Sequence, residues 1–167
     1  MPLTFNPSAD PTTQGVLQSI TNCIPTIRGI MGAPSPVAMA FPPLEEASKG
    51  AATVELLDGS RRAFVGAESY LYEATDGGFS LAGTGFTTGD NRFMFTNFGN
   101  AVIACNGANP LVASTGATFT GIAGAPKAKI VESVGEFVLA FDCDNGVNHL
   151  PDQWWSCALG DYTSWTP

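Results

Sequence analysis

From about residue 50 onward the apolar residues come in short runs broken by Gly, Asn, Asp or Ser, not in the long 3.6-residue period of amphipathic helices. The runs Ala52–Leu57, Arg62–Gly66, Ser69–Ala74 and Phe79–Ala82 read as one group of strands. Asp58-Gly59, between the first two, is the strongest short hairpin signal in the chain, and Asp76-Gly77-Gly78 supplies another turn. A second group reads as Arg92–Asn97, Ala101–Asn106, Leu111–Ser114 and Thr118–Ile122, turning at Gly99-Asn100 and at Gly107-Ala108-Asn109-Pro110. A third opens with Lys129–Val134 and Phe137–Asp142 around Gly135-Glu136 and continues to Gln153–Cys157, the last strand expected.

These groups echo one another. Leu71 and Leu111 are 40 positions apart, as are Phe79 and Phe119, while Gly83 and Gly124 are 41 apart. A period near 40 with about four short strands per unit is the mark of propeller blades, not of helical repeats. The expected fold is therefore all-β: antiparallel β-propeller-like blades, about two to three of them, with an extended Pro-rich N-terminal arm. The arm is placed at 1–49 and the blade domain at 50–167. Closed propellers need about four to eight blades, so a stack this small leaves an apolar face to be covered by further copies, by partners, or by more of a longer polypeptide.

Two runs, Val102-Ile103-Ala104-Cys105 and Phe137-Val138-Leu139-Ala140-Phe141, are unbroken, as expected of strands covered on both faces. The first 49 residues differ: eight of the twelve prolines fall there, which favours extended backbone. Within them, Val16, Leu17 and Ile20 have helical spacing and predict one or two turns over Thr13 to Ile20.

Composition narrows the function. Seven basic residues against fifteen acidic ones give a formal charge of −8, with no Lys/Arg cluster beyond Arg61-Arg62, so a direct grip on nucleic-acid phosphates is not expected. The four cysteines, Cys23, Cys105, Cys143 and Cys157, lack metal or redox spacing, and Cys105 and Cys143 lie in apolar runs as buried thiols do. The opening residues lack a secretory signal, and no run approaches a membrane span. Synthesis in the cytoplasm with reduced thiols is the expectation.

Candidate chemistry is sparse. Asp142-Cys143-Asp144-Asn145-Gly146 opens like a calcium loop but lacks a third ligand before the Gly and a Glu later, with Asp152 the best substitute; a polar turn is the better reading. His149, the only histidine, has Asp144 and Asp152 nearby in sequence, but nothing orders a nucleophile beside it. Glu45-Glu46 point to opposite sides of an extended chain and are expected to be solvated. Trp154, Trp155, Trp165, Phe93, Phe95 and Phe98 could line a sugar platform, although packing between sheets is favoured. Gly83-Thr84-Gly85-Phe86-Thr87-Thr88-Gly89 lacks the Lys of a phosphate loop and reads as a connection between blades. No catalytic, cofactor or metal residue is nominated.

The segment from Arg92 to Gly107, with its Phe98-Gly99-Asn100-Ala101-Val102-Ile103-Ala104-Cys105-Asn106-Gly107, resembles a recurring stretch of structural proteins of tailed bacteriophages. The similarity continues through Ala125-Pro126-Lys127-Ala128-Lys129 and Val134-Gly135-Glu136-Phe137-Val138-Leu139. It closes on Gln153-Trp154-Trp155-Ser156 and Gly160-Asp161-Tyr162-Thr163-Ser164-Trp165; upstream, Asn22-Cys23-Ile24-Pro25 is also similar. The likeness covers roughly residues 20 to 167 and is to tail propeller or nozzle (tail hub) proteins. It implies a virion part and not an enzyme, assembled in the host cytoplasm below the portal, touching portal, adaptor or tail proteins and further copies of itself. DNA would pass nearby without specific binding. The different class kept beside it is a carbohydrate-binding module for host-surface glycans, using the tryptophans. A glycosidase would need two facing carboxylates, and no pair stands out.

Overall fold

The computed structural model describes residues 4–5, 16–17, 23–26, 29–33, 41–87, 92–144 and 147–165. The chain forms two compact units, Met1–Met39 and Ala40–Pro167. In the first, β1 (Thr4–Phe5) pairs in parallel with β2 (Val16–Leu17), and β3 (Cys23–Thr26) forms an antiparallel pair with β4 (Gly29–Gly32). The helical turn expected over Thr13 to Ile20 is thus replaced by a strand at Val16–Leu17; the rest of that stretch lies outside the described residues. Three apolar positions are too few to offset the cost of nucleating a helix.

The second unit consists of three four-stranded antiparallel sheets, formed one after another along the chain. Sheet I contains β5 (Ser48–Glu55), β6 (Arg61–Ala67), β7 (Tyr70–Thr75) and β8 (Gly78–Thr84). Sheet II contains β9 (Met94–Phe98), β10 (Ala101–Cys105), β11 (Val112–Ser114) and β12 (Thr120–Gly121). Sheet III contains β13 (Lys127–Val134), β14 (Phe137–Asp144), β15 (His149–Ala158) and β16 (Asp161–Trp165). In each, sequence neighbours are sheet neighbours, so every sheet is an up-and-down meander. The tight turns match their chemistry: Gly99 (φ +61°) and Gly135 (φ +60°) adopt the left-handed backbone that two-residue hairpins require.

The sheets pack in series around two cores. Val54, Phe64, Leu71 and Ala82 of sheet I meet Phe93, Val102, Ala104 and Phe119. Ile103, Cys105, Leu111, Ala113 and Ile122 of the sheet II region meet Ala128, Val131, Val138, Ala140, Cys143, Cys157 and Trp165. Alternate residues of β10 thus enter opposite cores, and all five are buried, as the unbroken run implies. The echo between Leu71 and Leu111 has a structural counterpart. Each lies at the third strand of its sheet, fully buried, and each packs towards the sheet that follows.

Sheet III departs from the sequence expectations in two ways. Phe137 to Phe141 is covered on one side only: Val138 and Ala140 are buried, whereas Leu139 and Phe141 are half-exposed and Phe137 is exposed. Among the described residues only one face of sheet III packs against another sheet, so only one face of β14 is covered. Asp161–Trp165 also forms a fourth strand, β16, that the sequence did not reveal. Its apolar content is just Tyr162 and Trp165, too little for a run, yet Trp165 fills the second core.

At the other end, the described stretch following residue 40 lies over sheet I. Phe41 meets Phe79 edge-on with centroids 5.5 Å apart, and Glu46 accepts hydrogen bonds from the Ser69 amide and hydroxyl, each 2.6 Å long. Glu46 is therefore half-buried and partnered, not solvated as expected, while Glu45 is exposed.

Candidate functional site

The chemistry of sheet III turns on a phase slip in β14. Ala140 and Cys143 both face the core although three residues apart, because Asp142 takes a left-handed backbone (φ +53°). Aspartate tolerates that region better than most side chains. Pairing with β15 jumps there from Phe141↔Trp154 to Cys143↔Leu150. The slip carries the Asp142 carboxylate to Lys129 Nζ, 3.0 Å away on β13, and to Nε2 of His149 at the start of β15. The Lys129 hydrogen bond above all, helped by His149, holds the Asp142 carboxyl below its ordinary range. His149 thus has Asp142 as its partner, not the Asp144 or Asp152 that lie closer in sequence. An Asp inside an apolar run was the available signal, but the slip that re-aims it leaves no mark in residue spacing.

Asp142 also borders a cleft of about 1070 Å³ where the first strands of the three sheets come together. Its walls include Lys49, Gly50, Arg92, Met94, Lys129 and Asp142. Sheets I and II are tied there by the Phe93 amide donating to the Lys49 carbonyl at 3.1 Å; further along β9 and β13, the Ser133 amide donates to Thr96 Oγ1 at 3.1 Å and ties sheets II and III. Lys49 pairs with Glu68 at 3.0 Å. Arg92 is exposed and has no acidic partner among the described residues. A second cleft of about 560 Å³, between Ala113–Ala123 and Tyr162-Thr163, has walls of small and hydroxyl-bearing residues with Ile122, and no charged side chain lines it.

The Arg61-Arg62 pair is not free for a ligand. Arg61 pairs with Glu55 at 2.9 Å on the surface. Arg62 makes a two-pronged bond to Glu73, 2.6 and 2.8 Å, stacks 4.8 Å from the Phe64 ring centre, and donates to the Gly116 carbonyl. This fork raises the Arg62 pKa further, so it is a fixed positive strut between sheets I and II.

The aromatic candidates divide. Trp165 is buried and its indole donates to the Tyr162 carbonyl at 2.7 Å, Phe93 is buried, and Phe93 and Phe95 stack with centroids 6.3 Å apart. Phe98 meets the Tyr162 ring edge-on, and Trp155 packs against the second core. Only Trp154 stands out, 59% exposed, on the outer face of sheet III. There Ile130, Phe141 and Trp154 form one cross-strand row over β13, β14 and β15, and exposed Val134 and Phe137 pair further along the same face, beyond the Glu132–Leu139 pair.

The Asn106-Gly107 turn is structural: Asn106 Oδ1 accepts from the amides of Ala108 (3.1 Å) and Asn109 (2.9 Å). Asn109 Oδ1 in turn accepts from the Thr87 amide at 2.8 Å, fixing the described part of the Gly83–Gly89 connection. Of the calcium-like stretch, Asn145 and Gly146 lie outside the described residues, and Asp142 is committed to Lys129 and His149. Among the described residues no three His, Cys, Asp or Glu side chains converge as metal ligands, and no helix is long and apolar enough to cross a membrane. Cys105, Cys143 and Cys157 are buried and Cys23 is exposed, all unpaired. Burial pushes the Cys105 thiol up to about 12 and the Cys143 thiol up to about 11, so neither supplies a nucleophile near neutral pH. Comparison with known proteins assigns no family: no family model matches the chain, and no curated protein matches it significantly.

Proposed function

We propose that this chain is a structural component of a bacteriophage tail, of the propeller or nozzle type, that works by assembly. Its three meander sheets act as blades, with β5, β9 and β13 as the inner strands. The observation that carries the reading is the open outer face of sheet III: Ile130, Val134, Phe137 and Trp154 are all exposed on a sheet whose opposite face is a finished core. A patch of this kind marks an interaction surface. About 1,000 Å² of apolar burial there would contribute roughly 25 kcal/mol before ordering costs. The mass of the purified chain by light scattering tests it: a ring-sized oligomer, or assembly upon adding virion partners, is expected. A monomer of 17.4 kDa that ignores such partners overturns it.

The exposed Trp154 favours one second reading, a carbohydrate-binding module for surface glycans. Its row mates Phe141 and Ile130 give a flat apolar strip on which a sugar ring could stack. Glycan binding that is lost in Trp154→Ala, by a chain that stays monomeric, would move this reading ahead.

A further inference from the structure

Three of the seven basic residues of this acidic chain, Lys49, Arg92 and Lys129, line one cleft, where the first strands of the three sheets meet. We propose that this cleft is a binding site for a phosphate-type oxyanion, with Arg92 as its principal anchor. The assignment goes beyond the assembly reading and does not depend on it.

Arg92 lies at the entrance to β9, exposed, and makes no ion pair among the described residues. A planar guanidinium with open donors is the side chain best matched to two oxygens of one phosphate. Lys129 adds a second cation whose side chain is 49% exposed. Its carboxylate partner does not block it. Asp142 also bonds His149, so Lys129 can turn towards an anion while Asp142 keeps a partner. Lys49 is more enclosed and its charge is offset by Glu68 at 3.0 Å, so it lines the third wall without an open positive charge.

The remaining walls say which part of a ligand is read. Phe93 is buried and offers no open ring, so there is no platform for stacking a base. Met94 and Ile130 offer only exposed aliphatic surface. With about 1070 Å³ to fill, the cleft has room for more than a lone ion. The shared chemistry is a phosphate group, whether free or part of a nucleic-acid backbone, bound without reading sequence.

The full chain would be titrated with inorganic phosphate by calorimetry, and with a labelled single-stranded oligonucleotide by anisotropy, in about 20 mM and about 200 mM salt so that screening is varied. Binding of phosphate alone points to a small phosphorylated ligand, and binding of the oligonucleotide as well points to a backbone phosphate; either supports the site. Arg92→Ala should weaken that binding about tenfold or more, the loss expected for a charge-assisted contact. Lys129→Ala should weaken it less. Arg61→Ala, outside the cleft and paired with Glu55, should leave it within about twofold, as for a screened surface charge. No binding of either probe at low salt, or equal loss in Arg92→Ala and Arg61→Ala, overturns the proposal.

Discussion

The ring of Phe93 lies directly against the α-carbon of Gly66: a Cβ placed on Gly66 would sit 2.2 Å from Cδ2 and 2.3 Å from Cγ of Phe93. Gly66 is in β6 of sheet I, and Phe93 opens the way into β9 of sheet II, so the contact sets how closely the first two sheets approach. Phe93 is wedged from the other side by Phe86, edge-on at 5.2 Å, and cannot simply swing away. Gly66→Ala should therefore cost about 1–3 kcal/mol of stability, the range for overpacking a filled core. Gly66→Ala combined with Phe93→Ala, which removes the Cγ and Cδ2 that the new methyl meets, should cost less than the sum of the two single changes. Urea denaturation of the three variants and the parent measures both, and a neutral Gly66→Ala would show that the sheets have slack.

Leu71 and Leu111 test whether the echo in the sequence is an energetic repeat. Each is fully buried, one in each core. Truncation to Ala should cost about 2–5 kcal/mol at either position, by lost transfer energy and a cavity that rigid sheets close poorly. If the stack is cooperative, both variants lower the same single unfolding transition. Two transitions, with each variant shifting only one, would mean that the sheet pairs unfold separately.

What the sequence revealed was mostly what local chemistry controls. The hairpins at Gly99-Asn100 and Gly135-Glu136 need left-handed glycine, and the doubly covered β10 needs an unbroken apolar run, so both were legible. What it concealed depends on neighbours. β16 exists because Trp165 has a core to enter, and β14 has a half-open outer face because among the described residues only its inner face packs against another sheet. Glu46 found Ser69 across 23 residues, and Asp142 reached Lys129 and His149 only through a phase slip. The cleft cations Lys49, Arg92 and Lys129 are scattered over 80 positions, and no motif joins them.

The thiols give a direct check on burial. Cys23 is exposed, whereas Cys105, Cys143 and Cys157 sit in or beside the second core. Cys157 Sγ also accepts a hydrogen bond from the Val138 amide at 3.0 Å. A colorimetric disulfide reagent at about pH 8, near the reference thiol pKa, should titrate one of the four thiols quickly in the native chain and all four after denaturation. Cys23→Ser should abolish the fast phase. Rapid reaction of two or more thiols in the native chain would mean that sheets II and III separate in solution.

Asp142 should make stability depend on acid. Lys129 and His149 hold its folded-state carboxyl below the ordinary value of 3.8. On unfolding it returns to that value, so the unfolded chain takes up the proton first. The stabilisation is therefore complete above the unfolded value and disappears as pH falls through the depressed folded one. Asp58 and Asp161, lowered chiefly by hydrogen bonds from Ser60 and Thr163, respond with the same sign, so the parent protein loses stability at low pH from several groups. Asp142→Asn isolates one of them, because asparagine also accepts the left-handed backbone at φ +53°. The variant should be less stable than the parent at neutral pH, and the two thermal midpoints should converge as pH drops below about 3.8. Midpoints that stay equally far apart from neutral pH down to acid would show that the charge on Asp142 contributes nothing. The role of the residue would then be confined to the backbone turn that brings Cys143 into the core.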